Sequence, residues 1–380
     1  YRVNDNTRLF MASVTGLKDS VYTLKIREGN SGTAIASEPF SVCSDPMLLQ
    51  ETCLIKYSNK DNNSSFDKHL HHSGNIMNVK ELVREIVIDT PLIGGGAKPY
   101  ILDKYFILSD GYSEDNQVFL FDKKNFSYIV GFGHSGEGPN EITSLGELMP
   151  DVLHKRIYVA DYGKMQISGY DLDSALLNPD YLPKYKLEMN KAATPVMLSY
   201  ANDTLCYACC VTAEPGKHFQ ESLVTWNVKT GDIHPLINGH PEVERKRIRY
   251  TVSLEKNLIA VSYDHHDLLA TYDLQGNLKH YIYGPNWDNA TSNAMIYYYG
   301  SICICNNHII VGYSGERNPD AGNIHVSKLL VYDLDGNYIK TLNVGYNIII
   351  FCYDSEYNRI IMVLDDEIQF AYLDLDGLLD

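Results

Sequence analysis

The chain has 380 residues, with 48 Asp and Glu against 32 Lys and Arg and a formal net charge of −16. That balance repels phosphate backbones and no basic stripe offsets it, so nucleic acid is excluded as a partner. No apolar run reaches the eighteen residues of a membrane-spanning helix, and the 29 Tyr, many inside short apolar runs, favour half-buried strands over helices.

In chain order, residues 1 to 80 fit no regular pattern. LFMASV, VYTLKIRE and CLIKYS read as strands, and NKDNNSSFDKHLHHSG reads as an exposed polar stretch. This region is expected to be a cap or extension; a complete extra sheet would need a regular spacing that residues 1 to 60 lack. His69, His71 and His72 beside Asp67 could hold a metal loosely, but a polar loop explains them equally well. The chain starts at Tyr1 without Met, as expected if a leader has been trimmed.

From residue 81 onward a unit repeats. An apolar run ends in Asp or Asn and a turn: VFLFDKK at Asp122, ISGYDLDS at Asp171, LVTWNVKTG at Asn227, LLATYDLQGN at Asp273, LLVYDLDGN at Asp333 and FAYLDLDG at Asp374. These anchors lie roughly 40 to 60 residues apart, near the upper end of the periods of repeat folds, where propeller blades fall. Each has another apolar run upstream and a shorter alternating strand downstream. Gly-Asn after Asp supplies the positive φ that tight hairpins need. Short antiparallel strands without helical periodicity predict an all-β, six-bladed β-propeller over residues 81–380. The blades are expected at about 98–133, 142–189, 194–238, 249–284, 295–345 and from 347 to the end. The last blade lacks an outer strand, which would leave a bare edge. LVREIVID, Leu82–Asp89, is expected to supply it and close the ring; KELVREIV could also be read as a helical turn or two.

Gly131-Phe132-Gly133-His134-Ser135-Gly136-Glu137-Gly138-Pro139-Asn140-Glu141-Ile142 carries a Gly-x-Gly-Pro-x-Glu pattern between the first two blades. With VFLFDKKNFSYIVGFG and REIVIDTPLIGG it resembles the TolB-like and NHL-like six-bladed propellers of Bacteroides and their relatives, over about residues 82 to 380. The resemblance implies an exported protein of the periplasm or outer-membrane surface, with a lipid anchor upstream of this sequence and no assigned activity. Read physically, the glycines and Pro139 make an inter-blade corner; a phosphate loop would need to open a helix, usually with Lys-Ser/Thr, and neither is present.

No catalytic, cofactor-binding or metal-binding set emerges, and no cofactor is expected. Six of the eight Cys lie in apolar runs and read as packing residues; on one strand Cys206 and Cys209 would face opposite ways. Asp171 and Asp173, Asp333 and Asp335, and Asp374 and Asp376 read as turn-capping residues rather than ion ligands. His134, His154, His218, His234, His240, His265, His266, His280, His308 and His325 have no partner recognisable from spacing, and His265-His266 reads as a solvated hairpin tip. The run Glu244 to Arg249 reads as a loop or strand start. The expectation is a binding or scaffold module for a glycan, peptide or protein, with Tyr162, Tyr263, Tyr313 and Trp287 as aromatics that would contact it if exposed. The alternative is a channel-centred hydrolase or lyase acting on a sugar or lactone, with acids converging from several blades.

Overall fold

The computed structural model describes residues 2–4, 9–11, 20–27, 34–42, 67–69, 74–139, 141–189, 194–213, 219–243, 246–287, 296–317 and 326–379. The chain divides into two compact units, Tyr1–Ser64 and Ser65–Asp380. In the first, Arg2–Asn4 pairs antiparallel with Leu9–Met11, and Ser20–Arg27 with Ala34–Val42.

The second unit is almost entirely β. Blade one is Lys98–Leu102, Tyr105–Ser109, Asn116–Asp122 and Tyr128–His134. Blade two is Leu145–Asp151, Arg156–Asp161, Gln166–Asp171 and Tyr185–Glu188. Blade three is Thr194–Tyr200, Leu205–Ala213, Phe219–Asn227 and Ile233–Ile237. Blade four is Ile248–Ser253, Leu258–Tyr263, Leu268–Tyr272 and Leu278–Tyr283. Each is an antiparallel meander. Blades five and six share the long strand Tyr338–Asp354: its first part pairs with Val326–Asp333, its second with Arg359–Leu364. Ile296–Cys305 and His308–Arg317 complete blade five, and Phe370–Asp374 continues blade six.

The second strands are apolar along their whole length because both faces are covered. Tyr105–Ser109, Leu258–Tyr263 and Arg359–Leu364 are buried at every position, the pattern expected when successive side chains serve opposite neighbours. Alternate residues feed separate cores between consecutive blades. Ile107 and Leu120 pack with Ile157 and Tyr170; Ala160 and Met149 with Trp226; Cys209 with Ile259; Ala260 with Val311; Ile310 with Met362. Phe106 and Phe121 pack with Ile361 and Phe370, so blades one and six also share a core.

That seam also holds a buried ionic network. Lys123 Nζ lies 3.2 Å from Asp354 Oδ1 and 2.8 Å from Glu356 Oε2, while Arg359 Nε lies 3.1 Å from Asp354 Oδ2. Arg359 Nη2 donates to the Lys123 carbonyl at 2.6 Å, and its guanidinium stacks against Phe126, Tyr357 and Tyr372. Burial works against the Lys123 charge, but its bonds to Glu356 and Asp354 outweigh this and hold its pKa above the usual lysine value.

The hairpins follow the expected turn chemistry. Asp122 Oδ1 accepts the N–H groups of Lys124 and Asn125 at 2.9 and 3.1 Å. Asp333 accepts from Asn337 N and Nδ2. Gly276 and Gly336 supply φ of 81° and 80°. Asp171 departs from the hairpin pattern: it caps a short helix, Leu172–Leu177, by accepting from Ser174 N at 2.9 Å. Leu172 and Ala175 of that helix complete the core between blades one and two.

Residues 67–69 and 74–86 run along the outer rim of the later blades. Asp67–His69 pairs parallel with Tyr281–Tyr283 on blade four, and Ile76–Asn78 parallel with Thr341–Asn343 on blade five. Arg84–Glu85 pairs antiparallel with blade six, Ala371 opposite Glu85 and Tyr372 opposite Arg84, and Ile86 N–H donates to the Phe370 carbonyl at 2.8 Å. The pairing is shorter than Leu82–Asp89, because Lys80–Leu82 is a turn of 3-10 helix. Part of the stretch expected to be an exposed polar loop is therefore strand; His71 and His72 lie outside the described residues.

Candidate functional site

The first strands of blades one and two, two and three, four and five, five and six, and six and one lie side by side, so these strands surround the axis. Between blades one and two the channel wall is tied off. Glu147 Oε1 lies 2.5 Å from Lys98 Nζ, and its Oε2 accepts from Tyr100 OH at 2.6 Å. Burial, then the Glu147 charge, holds the Tyr100 phenol well above its ordinary pKa.

The Gly-x-Gly-Pro-x-Glu corner is an inter-blade brace. Glu141 Oε2 accepts Gly138 N–H at 2.7 Å, and Lys164 Nζ donates to the Gly138 and Glu141 carbonyls. A Cβ on Gly136, whose φ is +154°, would stand 2.0 Å from Glu141 Oε2, so glycine is required there. A small cavity beside it is lined by Glu141, Asp161, Lys164, Tyr170 and Lys186 among others. A second set of aspartates, which the repeat did not reveal, sits in the turns between second and third strands. Asp110 accepts from Gly94 N, Asp161 from Thr143 N and Ser144 N, and Asp366 from Asn347 N. Each fixes the backbone that enters its blade.

Blade four carries two aspartates in this turn. Asp267 is fully buried; its carboxylate accepts from Tyr299 OH at 2.6 Å, Asn286 N at 2.9 Å and Tyr313 OH at 3.3 Å. Asp264 is buried as well, but its surroundings are incomplete. Its Oδ1 stands 3.3 Å from Arg249 Nε, and neither atom makes an aligned hydrogen bond among the described residues. Glu221, from blade three, accepts Ile248 N–H at 2.7 Å. His265 Nδ1 donates to the Ile296 carbonyl at 3.0 Å, and its ring tilts against Tyr297 at 4.5 Å.

Burial pushes the Asp264 carboxyl up; Arg249, then His265 and Arg247, oppose it. Burial also raises Glu221, the Ile248 N–H opposes this, and the Asp264 charge adds to the rise. Blades three, four and five thus bring two reluctant carboxyls, two guanidinium groups (Arg249 and the exposed Arg247), an imidazole and a Tyr ring to one end of the innermost strands. Chemically, the set can accept and donate hydrogen bonds to a polar ligand, and its two carboxyls keep their protons to higher pH than ordinary ones.

The sequence candidates fall differently. Tyr263 is fully buried, its hydroxyl accepting the His240 backbone N–H at 2.7 Å, so it packs between blades. Tyr313 is buried on Asp267. Tyr162 bonds the Val196 carbonyl, and Trp287 packs on His240 and Tyr283. They form no exposed aromatic cluster. His265 and His266, expected at a solvated tip, are buried at 5% exposure each. Three other histidines find partners that spacing could not show. His134 bridges Asp115 and Asp180, and His154 bridges Asp151 and Asp203. His240 accepts from Glu242 N at Nδ1 and so donates from Nε2 to Tyr283 OH at 3.0 Å; burial lowers its pKa, in keeping with that neutral form.

The cysteines among the described residues are packing residues. Cys206 and Cys209 enter the cores on opposite sides of blade three, and burial pushes the thiols of Cys206 and Cys210 up to about 12 and about 11. Among the described residues no three His, Cys, Asp or Glu side chains converge as a metal set, and no helix is long and apolar enough to cross a membrane.

The profile of a family described as a 6-bladed beta-propeller matches residues 92–242. The crystal structure of a protein of Bacteroides fragilis described as exported is similar at a TM-score of 0.52 and 11% identity, covering 81% of this chain and 98% of that one. A member of the duf4221 family from Bacteroides vulgatus is similar at 0.51 and 11%, covering 77% and 95%. No curated protein matches the sequence. The chain is a six-bladed β-propeller that shares its fold with these Bacteroides proteins.

Proposed function

We propose that this propeller is an exported binding module that takes a glycan at the end of the channel where Glu221, Arg249, Asp264, His265 and Tyr297 meet. The observation that carries this reading is the buried pair Arg249 Nε and Asp264 Oδ1, 3.3 Å apart and short of aligned partners. Burying such groups without full hydrogen bonding is costly. Sugar hydroxyls, which donate and accept at once, match the polar groups that surround this pair, and the Tyr297 ring offers a face for the sugar's apolar side. Glycan arrays followed by calorimetry test it. Asp264→Asn and Arg249→Ala should each weaken binding more than about tenfold, the loss of a charged hydrogen bond. A purified chain that binds no glycan on such arrays refutes the reading; binding of peptides or a protein instead would leave the module but change its ligand.

A second reading, a hydrolase or lyase acting on sugars or lactones, draws on the raised Glu221 and Asp264 carboxyls, since a carboxyl that keeps its proton to higher pH is better suited to act as a general acid. A substrate panel whose pH–rate profile loses its alkaline limb in Glu221→Gln would favour it.

The exported, TolB-like or NHL-like character is supported by the Gly136–Glu141 corner and by the likeness to a protein described as exported. Closure of the ring by the N-terminal side of the repeats is supported by the pairing of Arg84–Glu85 with Phe370–Asp374. Recovery of the full-length protein from the cytoplasm of its native cell would refute export.

A further inference from the structure

The outer edges of the six blades are managed unequally. Such an edge presents unpaired N–H and C=O groups, and proteins blunt it with cover, charge or proline. Blades four and five are covered, by Asp67–His69 and Ile76–Asn78. Blade six ends in the charged pair Arg84–Glu85. The outermost strand of blade two, Tyr185–Glu188, exposes Lys186 and Glu188, and that of blade three, Ile233–Ile237, exposes His234 and Pro235. Blade one has none of these devices. Its outermost strand, Tyr128–His134, holds no Lys, Arg, Asp, Glu or Pro, and no described strand pairs with its outer side. Tyr128 and Ile129 are 42% and 41% exposed. The register shift in its pairing does not set it apart, since the outermost strands of blades three, four and five carry one too.

The exposed part is the first half of that strand; Gly131, Phe132 and Gly133 are buried. Its surroundings are apolar as well. Val130 packs on the core that also takes Leu176 and Tyr181, from the short helix of blade two and the loop after it. Their chain neighbours Leu177 and Leu182 are 88% and 51% exposed. The charges lie at the two ends. Lys124 is exposed in the turn that leads into the strand. At the far end, His134 Nδ1 and Nε2 stand 3.2 and 2.9 Å from Asp115 and Asp180, whose side chains are each 80% exposed.

We propose that two copies of this chain pair through the blade-one edge, antiparallel about a two-fold axis at Ile129. The arrangement is self-complementary. Tyr128 falls opposite the other copy's Val130, and Lys124 falls level with its His134, beside Asp115 and Asp180. Each lysine then meets carboxylates, and the contact occurs twice. A parallel pairing would instead set lysine against lysine and aspartate against aspartate, which disfavours it. Tyr128 and Ile129, with Leu177 and Leu182 nearby, supply apolar surface, and the two-fold axis closes the assembly at a dimer. The pairing is independent of the glycan reading, which uses the channel.

Sedimentation equilibrium of the purified chain from about 1 to 200 μM tests the pairing, a range suited to an interface of modest size. A monomer–dimer equilibrium should appear. Ile129→Lys, which sets a charge in the edge, should leave only monomer. Lys124→Glu and Asp180→Lys should each weaken association by about tenfold, since each puts like charges together twice, and the double variant should restore it. All three positions are exposed, and circular dichroism checks that the variants fold. A chain monomeric throughout overturns the proposal and leaves this edge to a strand of another protein. A dimer unchanged by Ile129→Lys overturns it, as does a double variant no tighter than either single one.

Discussion

Two buried charged clusters in this ring differ in how completely they are satisfied. Between blades six and one, Asp354 meets a cation at each oxygen, Lys123 meets two carboxylates, and Arg359 adds a carbonyl and three aromatic rings. Between blades three and five, Asp264 and Arg249 face each other at 3.3 Å without aligned bonds, and the nearby carboxyls resist ionisation. A closed network specifies a seam. An open one stores hydrogen-bonding capacity that a ligand can use.

The comparison can be broken most severely at the seam. Asp354→Ala leaves two buried cations facing each other, and removing one partner of a buried pair costs about 3–5 kcal/mol, read as a shift in the midpoint of denaturant unfolding. Gly136→Ala, which drives a methyl into the Glu141 carboxylate in the left-handed region, should cost about 1–3 kcal/mol and show in the same measurement. Asp264→Asn should behave oppositely. Because the folded state raises the Asp264 pKa, it holds that proton longer than the unfolded chain does. Its contribution to stability therefore declines as pH rises from the ordinary carboxylate range through the raised folded value. The variant should be as stable as wild type or more so at neutral pH, with a flatter pH profile in thermal melts, while losing ligand.

The smallest expected effect is at His134. Hydrogen bonding to Asp180 leads in raising its pKa, burial opposes, and Asp115 adds. Its stabilisation is complete below the unfolded histidine value and is lost as pH rises through the folded one. Since both carboxylates are 80% exposed, His134→Gln should change stability by less than about 1 kcal/mol, and only on the acid side in paired melts.

The blades were legible because strands such as Leu258–Tyr263 are apolar at consecutive positions, and because Asp122, Asp273 and Asp333 sit in turns of similar length. The structural aspartates Asp110, Asp161 and Asp366 escaped notice because their turns vary in length and their partners lie in the preceding connection. The candidate site was illegible for a related reason: Glu221, Asp264 and Tyr297 come from three blades, and no spacing within one blade records their meeting. His265 read as a polar tip because a charged tetrapeptide in a turn is usually solvated; here the Ile296 carbonyl and the Tyr297 ring cover it. His154 looked solitary because Asp203 lies in the next blade.

The rim segment imposes an order on assembly. Asp67–His69, Ile76–Asn78 and Arg84–Glu85 leave the ribosome before any blade, yet Tyr281–Tyr283, Thr341–Asn343 and Phe370–Asp374, to which they pair, come late in synthesis. The early segment must wait, unpaired, until nearly the whole polypeptide exists. Such distant pairings slow folding, so the rim is completed only after the blades that it joins have been made.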